Sequence, residues 1–158
     1  MQLFIILFLS VLCLTPNGEK HYSKVYYADG NIACEGWVQD SKKVDFWIFY
    51  HANGQVKNKG HYALGYREKY WHHYTNNGSL ESEGHYLKGK KNNWWSYYNS
   101  TGEVIHKCQL HNDVKNGYCL HFKGNEIVKA SRYSEGKKQQ EWTDYTVFTR
   151  ENNLLNLR

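Results

Sequence analysis

Residues 50–56 read YHANGQV, residues 74–80 read YTNNGSL, and residues 98–104 read YNSTGEV. Each stretch begins with tyrosine, continues through a polar loop that closes on glycine, and has an apolar residue two positions after that glycine. The three glycines are spaced by 24 residues. Self-similarity at one fixed interval of this size is typical of a repeat array. We therefore interpret the chain as successive copies of one small unit.

The same interval links positions outside these loops, and Tyr26 and Phe122 extend the aromatic series in both directions. The structural positions of the repeat are Gly30, Gly54, Gly78, Gly102, Gly60, Gly84, Trp47, Trp71, Trp95, Tyr50, Tyr74 and Tyr98. Gly65 and Gly89 mark a second turn in their units. Short segments rich in Tyr and Trp and bounded by Gly and Asn favour strands. Each unit is therefore predicted to hold two strands and two turns.

The predicted fold class is all-β, an elongated antiparallel meander of about five 24-residue hairpin repeats. We expect about ten or eleven strands between residues 22 and 148, within a repeat domain at 19–148. Residues 149–158 break the pattern and are predicted to form a C-terminal cap or tail, as a turn or a short helix. An array of this kind presents a long surface, which favours binding over catalysis.

The chain has 158 residues and a formal net charge of +5, with basic and acidic residues interspersed. Because no block of like charge marks a nucleic-acid-binding tail, no specific nucleic-acid partner is expected. The basic balance is compatible with an acidic partner or an anionic surface and requires neither.

The first fourteen residues, MQLFIILFLSVLCL, are apolar except for Gln2 and Ser10. The run is short for a bilayer span and typical of the apolar region of a secretory signal. Residues 1–18 are therefore predicted to be a signal peptide or an N-terminal anchor of an exported protein, whether secreted, periplasmic or membrane-anchored. Cleavage, retention as an anchor and lipidation at Cys13 remain open. The competing interpretation is a buried N-terminal strand in a cytoplasmic protein.

A pattern longer than a single hairpin recurs in two units. Residues 60–65 read GHYALG and precede Trp71, and residues 84–89 read GHYLKG and precede Trp95. Gly-x-Tyr-x-x-Gly followed by Trp-x-x-Tyr-x-x-x-Gly resembles the MORN-variant repeat of YwqK-type antitoxin proteins. The match covers about 120 residues of the chain. The resemblance implies a MORN-like sheet and a partner-binding role, and it offers no catalytic residue to carry over.

The chain departs from that pattern two residues before each tryptophan position. The family usually has glycine there, whereas this chain has Asp45, Lys69 and Asn93, with Gly117 as the exception. Asp and Asn adopt the left-handed backbone conformation at modest cost. Lys69 has no such explanation from its residue type.

Two cysteines replace the repeat residues of the fourth unit. By the 24-residue spacing, Cys108 occupies a glycine position and Cys119 a tryptophan position. A hairpin folded symmetrically about residues 113 and 114 would place them opposite each other, at a separation compatible with a disulfide. We predict that bond, with two free thiols as the alternative. Cys34 would then be unpaired and buried.

The histidines do not form a recognisable metal motif. His72 and His73 are adjacent on a strand and point to opposite faces. His61 and His85 are equivalent positions two strands apart, and no Cys-x-x-Cys or His-x-x-x-His spacing occurs. Structural histidines are therefore favoured over a metal site. No nucleophile elbow or phosphate loop is present either, so we predict no enzyme activity and no cofactor.

Consecutive aromatic residues, such as Tyr70 and Trp71, point to both faces of a strand, so one layer cannot hide them all. Tyr, Trp and Arg are the types that anchor protein interfaces. The predicted binding surface consists of Tyr70, His72, Trp94 and Tyr97. We expect a non-catalytic repeat module for protein–protein interaction, antitoxin-like by the resemblance. The alternative is an exported surface protein that binds a glycan or an anionic lipid.

Overall fold

A computed structural model describes residues 18–152 and contains one antiparallel sheet of eleven strands, each paired with its neighbours in the chain. The strands are β1 (His21–Tyr26), β2 (Ile32–Gln39), β3 (Lys42–Tyr50), β4 (Val56–Ala63), β5 (Tyr66–Tyr74), β6 (Leu80–Leu87), β7 (Lys90–Tyr98), β8 (Val104–His111), β9 (Val114–Lys123), β10 (Glu126–Ser134) and β11 (Lys137–Trp142). A short helix, α1 (Tyr145–Glu151), follows the last strand. The predicted all-β antiparallel meander is confirmed. The predicted leader lies outside the described residues.

Tight turns of two residues alternate with longer loops along the meander. In the turn between β4 and β5, Leu64 and Gly65 both have positive φ, 51° and 86°. Positive φ at both central residues defines the type I′ turn, whose twist matches that of the flanking strands. The Gly65 N–H donates to the carbonyl of Lys43, 2.9 Å away in the preceding unit. This turn is therefore hydrogen-bonded to the beginning of β3, and the Gly89 N–H makes the equivalent bond to Arg67 at the beginning of β5.

The longer loops are also linked from unit to unit. In the loop between β3 and β4, the N–H of His51 donates to the carbonyl of Gln55 at 2.8 Å. The side-chain amide of Asn53 in this loop donates to the carbonyl of Asn76 in the next one, also at 2.8 Å. Bonds of this kind join the loops at 27–31, 51–55 and 75–79, in addition to the strand ladder. Nearest-neighbour contacts contribute to the stability of repeat arrays.

The positions two residues before each tryptophan position form a recurring β-bulge. Asp45, Lys69, Asn93 and Gly117 have φ of 55°, 61°, 61° and 107°. Lys69 therefore adopts the left-handed conformation although its residue type does not favour it. The pairing with the preceding strand shifts near each of these positions. A bulge bends its strand and re-aims the side chains that follow, here the tryptophans.

Glycine and tryptophan alternate in a row across one side of the sheet. A Cβ atom added at Gly36 or Gly60 would overlap the ring of the next strand's tryptophan, and one added at Gly84 would lie 2.6 Å from the Trp95 ring. The Trp95 indole N–H donates to the carbonyl of His85 at 3.1 Å. Trp47 and Trp71 make equivalent bonds. We call this side, which carries Trp47, Trp71 and Trp95, the tryptophan face.

The tryptophan face holds the first hydrophobic cluster of the protein. Trp71 and Trp95 have no exposed surface, and they pack with Tyr86, Leu110 and the two cysteines of the fourth unit. Phe49, Tyr62, Tyr97 and Tyr133 border the cluster. Ring-to-ring contacts within the single layer therefore build this core without a second sheet.

The second cluster lies on the opposite face, at the C-terminal end of the sheet. Phe148 of α1 is 1% exposed and packs on Tyr118 and Trp142. Asp144 caps the helix and accepts bonds from the backbone N–H groups of Thr146 and Val147. The helix thus begins at Tyr145, before the predicted start of the C-terminal cap at residue 149. It covers the apolar surface that the last strands would otherwise leave exposed.

Cys108 and Cys119 lie opposite each other on β8 and β9, and their sulfur atoms are bonded. The hairpin turns at Asn112 and Asp113 and not at the predicted residues 113 and 114. A register shift between Cys108 and Leu110 compensates for this difference and restores the pairing of the cysteines. Cys34 is unpaired and partly exposed, so the expectation that it is buried was wrong.

Candidate binding surface

The face opposite the tryptophan face carries its own row of rings. It consists of Tyr22, Trp37, Phe46, His61, Tyr70, His85 and Trp94, and we call it the aromatic stripe. The rings lie next to one another in cross-strand pairs, with centroids 5.3 Å apart for Tyr22 and Trp37 and 4.8 Å apart for Tyr70 and His85. Because successive side chains on a strand alternate between the two faces, these residues point away from the side that holds the buried tryptophans. The stripe therefore runs across the strands and not along one of them.

Much of the aromatic stripe is accessible to a partner. Tyr22 is 46% exposed, Phe46 is 40% exposed and Tyr70 is 38% exposed. Exposed aromatic residues scattered singly would need no explanation, but these rings are grouped in cross-strand pairs on one face, which makes that face a candidate interaction site.

Three of the four predicted surface residues lie together. Tyr70 and Trp94 belong to the aromatic stripe, and His72 lies beside Tyr70 on the same face, with centroids 5.2 Å apart. Tyr97 lies on the tryptophan face instead, where it stacks on His106 at 5.5 Å. It does not join the other three, because it is three positions after Trp94 on β7, and an odd offset along a strand points to the other face.

Tyrosine–carboxylate pairs lie beside the stripe. The Tyr50 hydroxyl donates to Glu35 at 2.6 Å, and the equivalent Tyr98 hydroxyl donates to Glu83. The Tyr50 hydrogen bond holds the pKa of Glu35 below its usual value, against the opposing effect of burial. Burial, together with Glu35, raises the pKa of Tyr50 to about 12. Glu35 is therefore charged at neutral pH, and the tyrosine hydroxyl groups fix the orientation of both carboxylates.

A groove of about 430 Å³ opens where the stripe meets the fourth unit. Its walls include Tyr70, His85, Trp94, Lys107 and Phe122. The indole nitrogen of Trp94 is buried and has no hydrogen-bond partner among the described residues. Four rings and one ammonium group therefore line this point of the surface.

The tryptophan face, in contrast, is closed by cations. Lys43, Arg67 and Lys91 lie over the rings of the three buried tryptophans, at 4.7, 4.7 and 4.1 Å from the ring centroids. Cation–π contacts of this kind stabilise partly desolvated sites. Burial lowers the pKa of Lys91 and lowers that of His73, also on this face, to about 4. His73 is therefore neutral at pH 7, and the indoles beneath the cations are not accessible to a partner.

Helix α1 covers a residue that is equivalent to a member of the aromatic stripe. Tyr118 is the position equivalent to Trp94 one unit later, and it is 8% exposed because Phe148 lies against it with centroids 5.9 Å apart. The Tyr118 hydroxyl also donates to Asn152 at 2.7 Å. An apolar ring and one hydrogen bond thus cover the position that follows Trp94 in the 24-residue series.

No protein-family model matches the chain, and a search of curated proteins finds no significant match to it. The resemblance to MORN-variant repeats therefore rests on the residues quoted above and stays a prediction. The expectation that the chain has no enzyme activity also stays a prediction. Among residues 18–152, no helix is long and apolar enough to cross a bilayer.

Sequence reasoning identified two positions of the stripe but not the row itself. The aromatic residues at 22, 46, 70, 94 and 118 follow the 24-residue interval, and so do the stripe residues at 37, 61 and 85. Cross-strand pairing interleaves these two series into one row. The 24-residue interval is visible in the sequence. The β-bulges are not, and they determine which positions lie opposite one another on neighbouring strands.

Proposed function

We propose that the chain is a non-catalytic repeat module that binds a partner protein along the aromatic stripe. The observation that carries the proposal is the exposure of paired rings on one face while cations and ring packing close the other. Large aromatic side chains lose little conformational entropy on binding and supply much contact area, which is why they anchor interfaces.

The polar groups beside the stripe support the same proposal. Glu35 and Glu83 are held by tyrosine hydroxyl groups, and Lys59 and Lys107 occupy the equivalent positions in the other units. Charges of alternating sign beside a row of rings give an interface its specificity and register. The resemblance to YwqK-type proteins further suggests a neutralising, antitoxin-like role. An exported chain would exert that role on a partner outside the cytosol.

A photo-crosslinking amino acid at position 46, in the full chain and in its native host, tests the proposal. We expect covalent adducts with one defined protein, because Phe46 is an exposed member of the stripe. The same amino acid at position 49 is the control, since Phe49 packs against the tryptophan cluster on the other face. Adducts at neither position, or equal adducts at both, would contradict the proposed surface.

Substitutions then connect the adduct to the stripe. Phe46→Ser combined with Tyr70→Ser should weaken binding of the recovered partner by at least about tenfold, since truncating a central aromatic anchor costs 2 kcal/mol or more. Tyr66→Ser is the matched control, because Tyr66 is 59% exposed and lies outside the stripe. Equal losses in both variants would mean that the stripe is not the interface.

The groove beside Lys107 favours a second candidate, an anionic glycan or lipid headgroup, because it combines stacking rings with an ammonium group. Sedimentation with vesicles containing phosphatidylserine and binding to a glycan array separate the two functions. A protein-binding module should give no signal in either assay. A signal that Tyr70→Ser and Phe46→Ser abolish would favour the glycan or lipid function.

A further inference from the structure

Four potential metal ligands form a rectangle on two adjacent strands of the tryptophan face. His106 pairs with His121 across β8 and β9, and two residues further along Cys108 pairs with Cys119. Residues two apart on a strand share a face, so all four side chains point to the same side of the sheet. The sequence signature is mirrored about the turn, His-x-Cys on one strand and Cys-x-His on the next.

The ligand atoms are already close to one another. The Nε2 atom of His106 lies 3.2 Å from Sγ of Cys108, and one ligand atom each from His106, Cys108 and Cys119 lie within 4.8 Å of one another. The ring of His121 stacks on that of His106, with centroids 4.3 Å apart. In a tetrahedral zinc site, Zn–S bonds of about 2.3 Å and Zn–N bonds of about 2.1 Å place neighbouring ligand atoms roughly 3.5–4 Å apart. His121 is not part of that group of three, so its ring has to turn for a nitrogen atom to reach the ion.

We propose that His106, Cys108, Cys119 and His121 bind one Zn²⁺ ion when the disulfide is reduced. A dithiol reductant breaks the S–S bond, donates two electrons and two protons, and becomes a disulfide itself. The two thiols then lose their protons to solvent as the ion binds, because thiolate is the ligand form of cysteine. The hairpin is therefore closed by a disulfide in an oxidising compartment and by zinc in a reducing one.

No other group of three such residues in residues 18–152 comes this close together. The fourth unit is also where the glycine–tryptophan pair of the regular units is replaced on both strands at once. A covalent or metal link there takes over the role that ring-over-glycine packing has elsewhere. Either link closes the same pair of strands, so the fold tolerates both oxidation states.

The test uses the full chain with Cys13→Ser and Cys34→Ser, which removes the other thiols. The protein is reduced with dithiothreitol, desalted without oxygen and titrated with Co²⁺, then with Zn²⁺ in competition with a chromophoric chelator. We expect one Co²⁺ per chain, with visible bands of a tetrahedral site and near-ultraviolet thiolate charge transfer. The oxidised protein should show neither. Absence of these bands in the reduced protein, or identical spectra in both states, would overturn the proposal.

Histidine variants locate the site. His106→Ala and His121→Ala should each lower the zinc affinity of the reduced protein by about 100-fold or more, because each removes a direct ligand and even residues that only orient ligands contribute 10–100-fold. His85→Ala is the matched control, since His85 lies on the opposite face, and it should keep its affinity. Retained affinity in either ligand variant would contradict the assignment. Circular dichroism of each oxidised variant shows whether it is folded. Zinc should also give the reduced protein the circular dichroism spectrum of the oxidised protein, and failure to do so would count against the proposal.

Discussion

The smallest determinant of the fold is the contact between one tryptophan ring and the backbone of one glycine. At Gly84 the missing side chain leaves room for the Trp95 ring, and the indole N–H reaches the carbonyl of His85 from that position. The ring shields backbone that a glycine would otherwise expose, an arrangement also used to stabilise designed sheets. One residue pair therefore fixes both the register of two strands and the burial of a large side chain.

Gly84→Ala should destabilise the protein by about 1–3 kcal/mol, the usual cost of forcing additional atoms into a packed core. The new Cβ would lie 2.6 Å from the Trp95 ring, and the ring has no free space to enter because it is fully buried. Urea unfolding followed by circular dichroism measures the change.

A double-mutant cycle provides the control for this prediction. In a Trp95→Leu background, Gly84→Ala should cost clearly less, because the smaller side chain leaves room for the methyl group. An equal cost in both backgrounds would show that the effect comes from the backbone and not from the ring.

At the scale of single elements, helix α1 is the one part of the described chain that does not repeat. It packs on β10 and β11 through Phe148 and closes the second cluster. Terminal units of repeat arrays commonly carry such caps, because the last unit has no neighbour to cover its apolar surface. The helix therefore stabilises the end of the sheet and not its middle.

Phe148→Ala should loosen this end selectively. We expect amide hydrogen exchange to become at least about tenfold faster in α1 and β11, because a Phe→Ala change in a core costs up to 3–5 kcal/mol. Amides of β3 to β6 should keep their rates, since units interact chiefly with their neighbours. Thr146→Ala, at an exposed helical position, is the control and should leave all rates unchanged. Uniformly faster exchange would mean that the sheet opens as one cooperative unit.

The elements were predictable from the sequence to different degrees. Strand number and order follow from the spacing of residues such as Tyr50, Tyr74 and Tyr98, and both were predicted. The position of α1 was not. The fifth unit is one residue shorter, so Trp142 and Tyr145 follow Cys119 and Phe122 after 23 residues and continue the aromatic pattern into the cap. The left-handed conformation of Lys69 was also unpredictable from its residue type, since the neighbouring strands impose it. The aromatic stripe depends on those bulges, so the sequence identified only Tyr70 and Trp94 among its members.

At the scale of the whole molecule, the repeat makes the sheet divisible into equal parts. Removing residues 57–80 deletes one unit and joins Val56 to Glu81. The shortened chain should fold, because Gly84 then takes the place of Gly60 opposite Trp47 and the turn contacts are re-formed. We expect a strand-type circular dichroism spectrum with a lower melting temperature, as fewer neighbour contacts remain.

Removing residues 57–68 instead provides the control deletion. It takes away half a unit and leaves two tryptophan-bearing strands adjacent, with no glycine strand between them. This variant should not form a stable sheet. A folded half-unit deletion, or an unfolded whole-unit deletion, would contradict the division of the chain into 24-residue units.

The repeat also sets the distance between equivalent positions of the aromatic stripe. Because one unit contributes two strands, equivalent positions such as Phe46 and Tyr70 recur at about 9.6 Å across the sheet. Seven residues of an α-helix advance about 10.5 Å. A helical ligand lying across the strands would therefore meet one unit per heptad, and the number of units would set how many heptads it could engage.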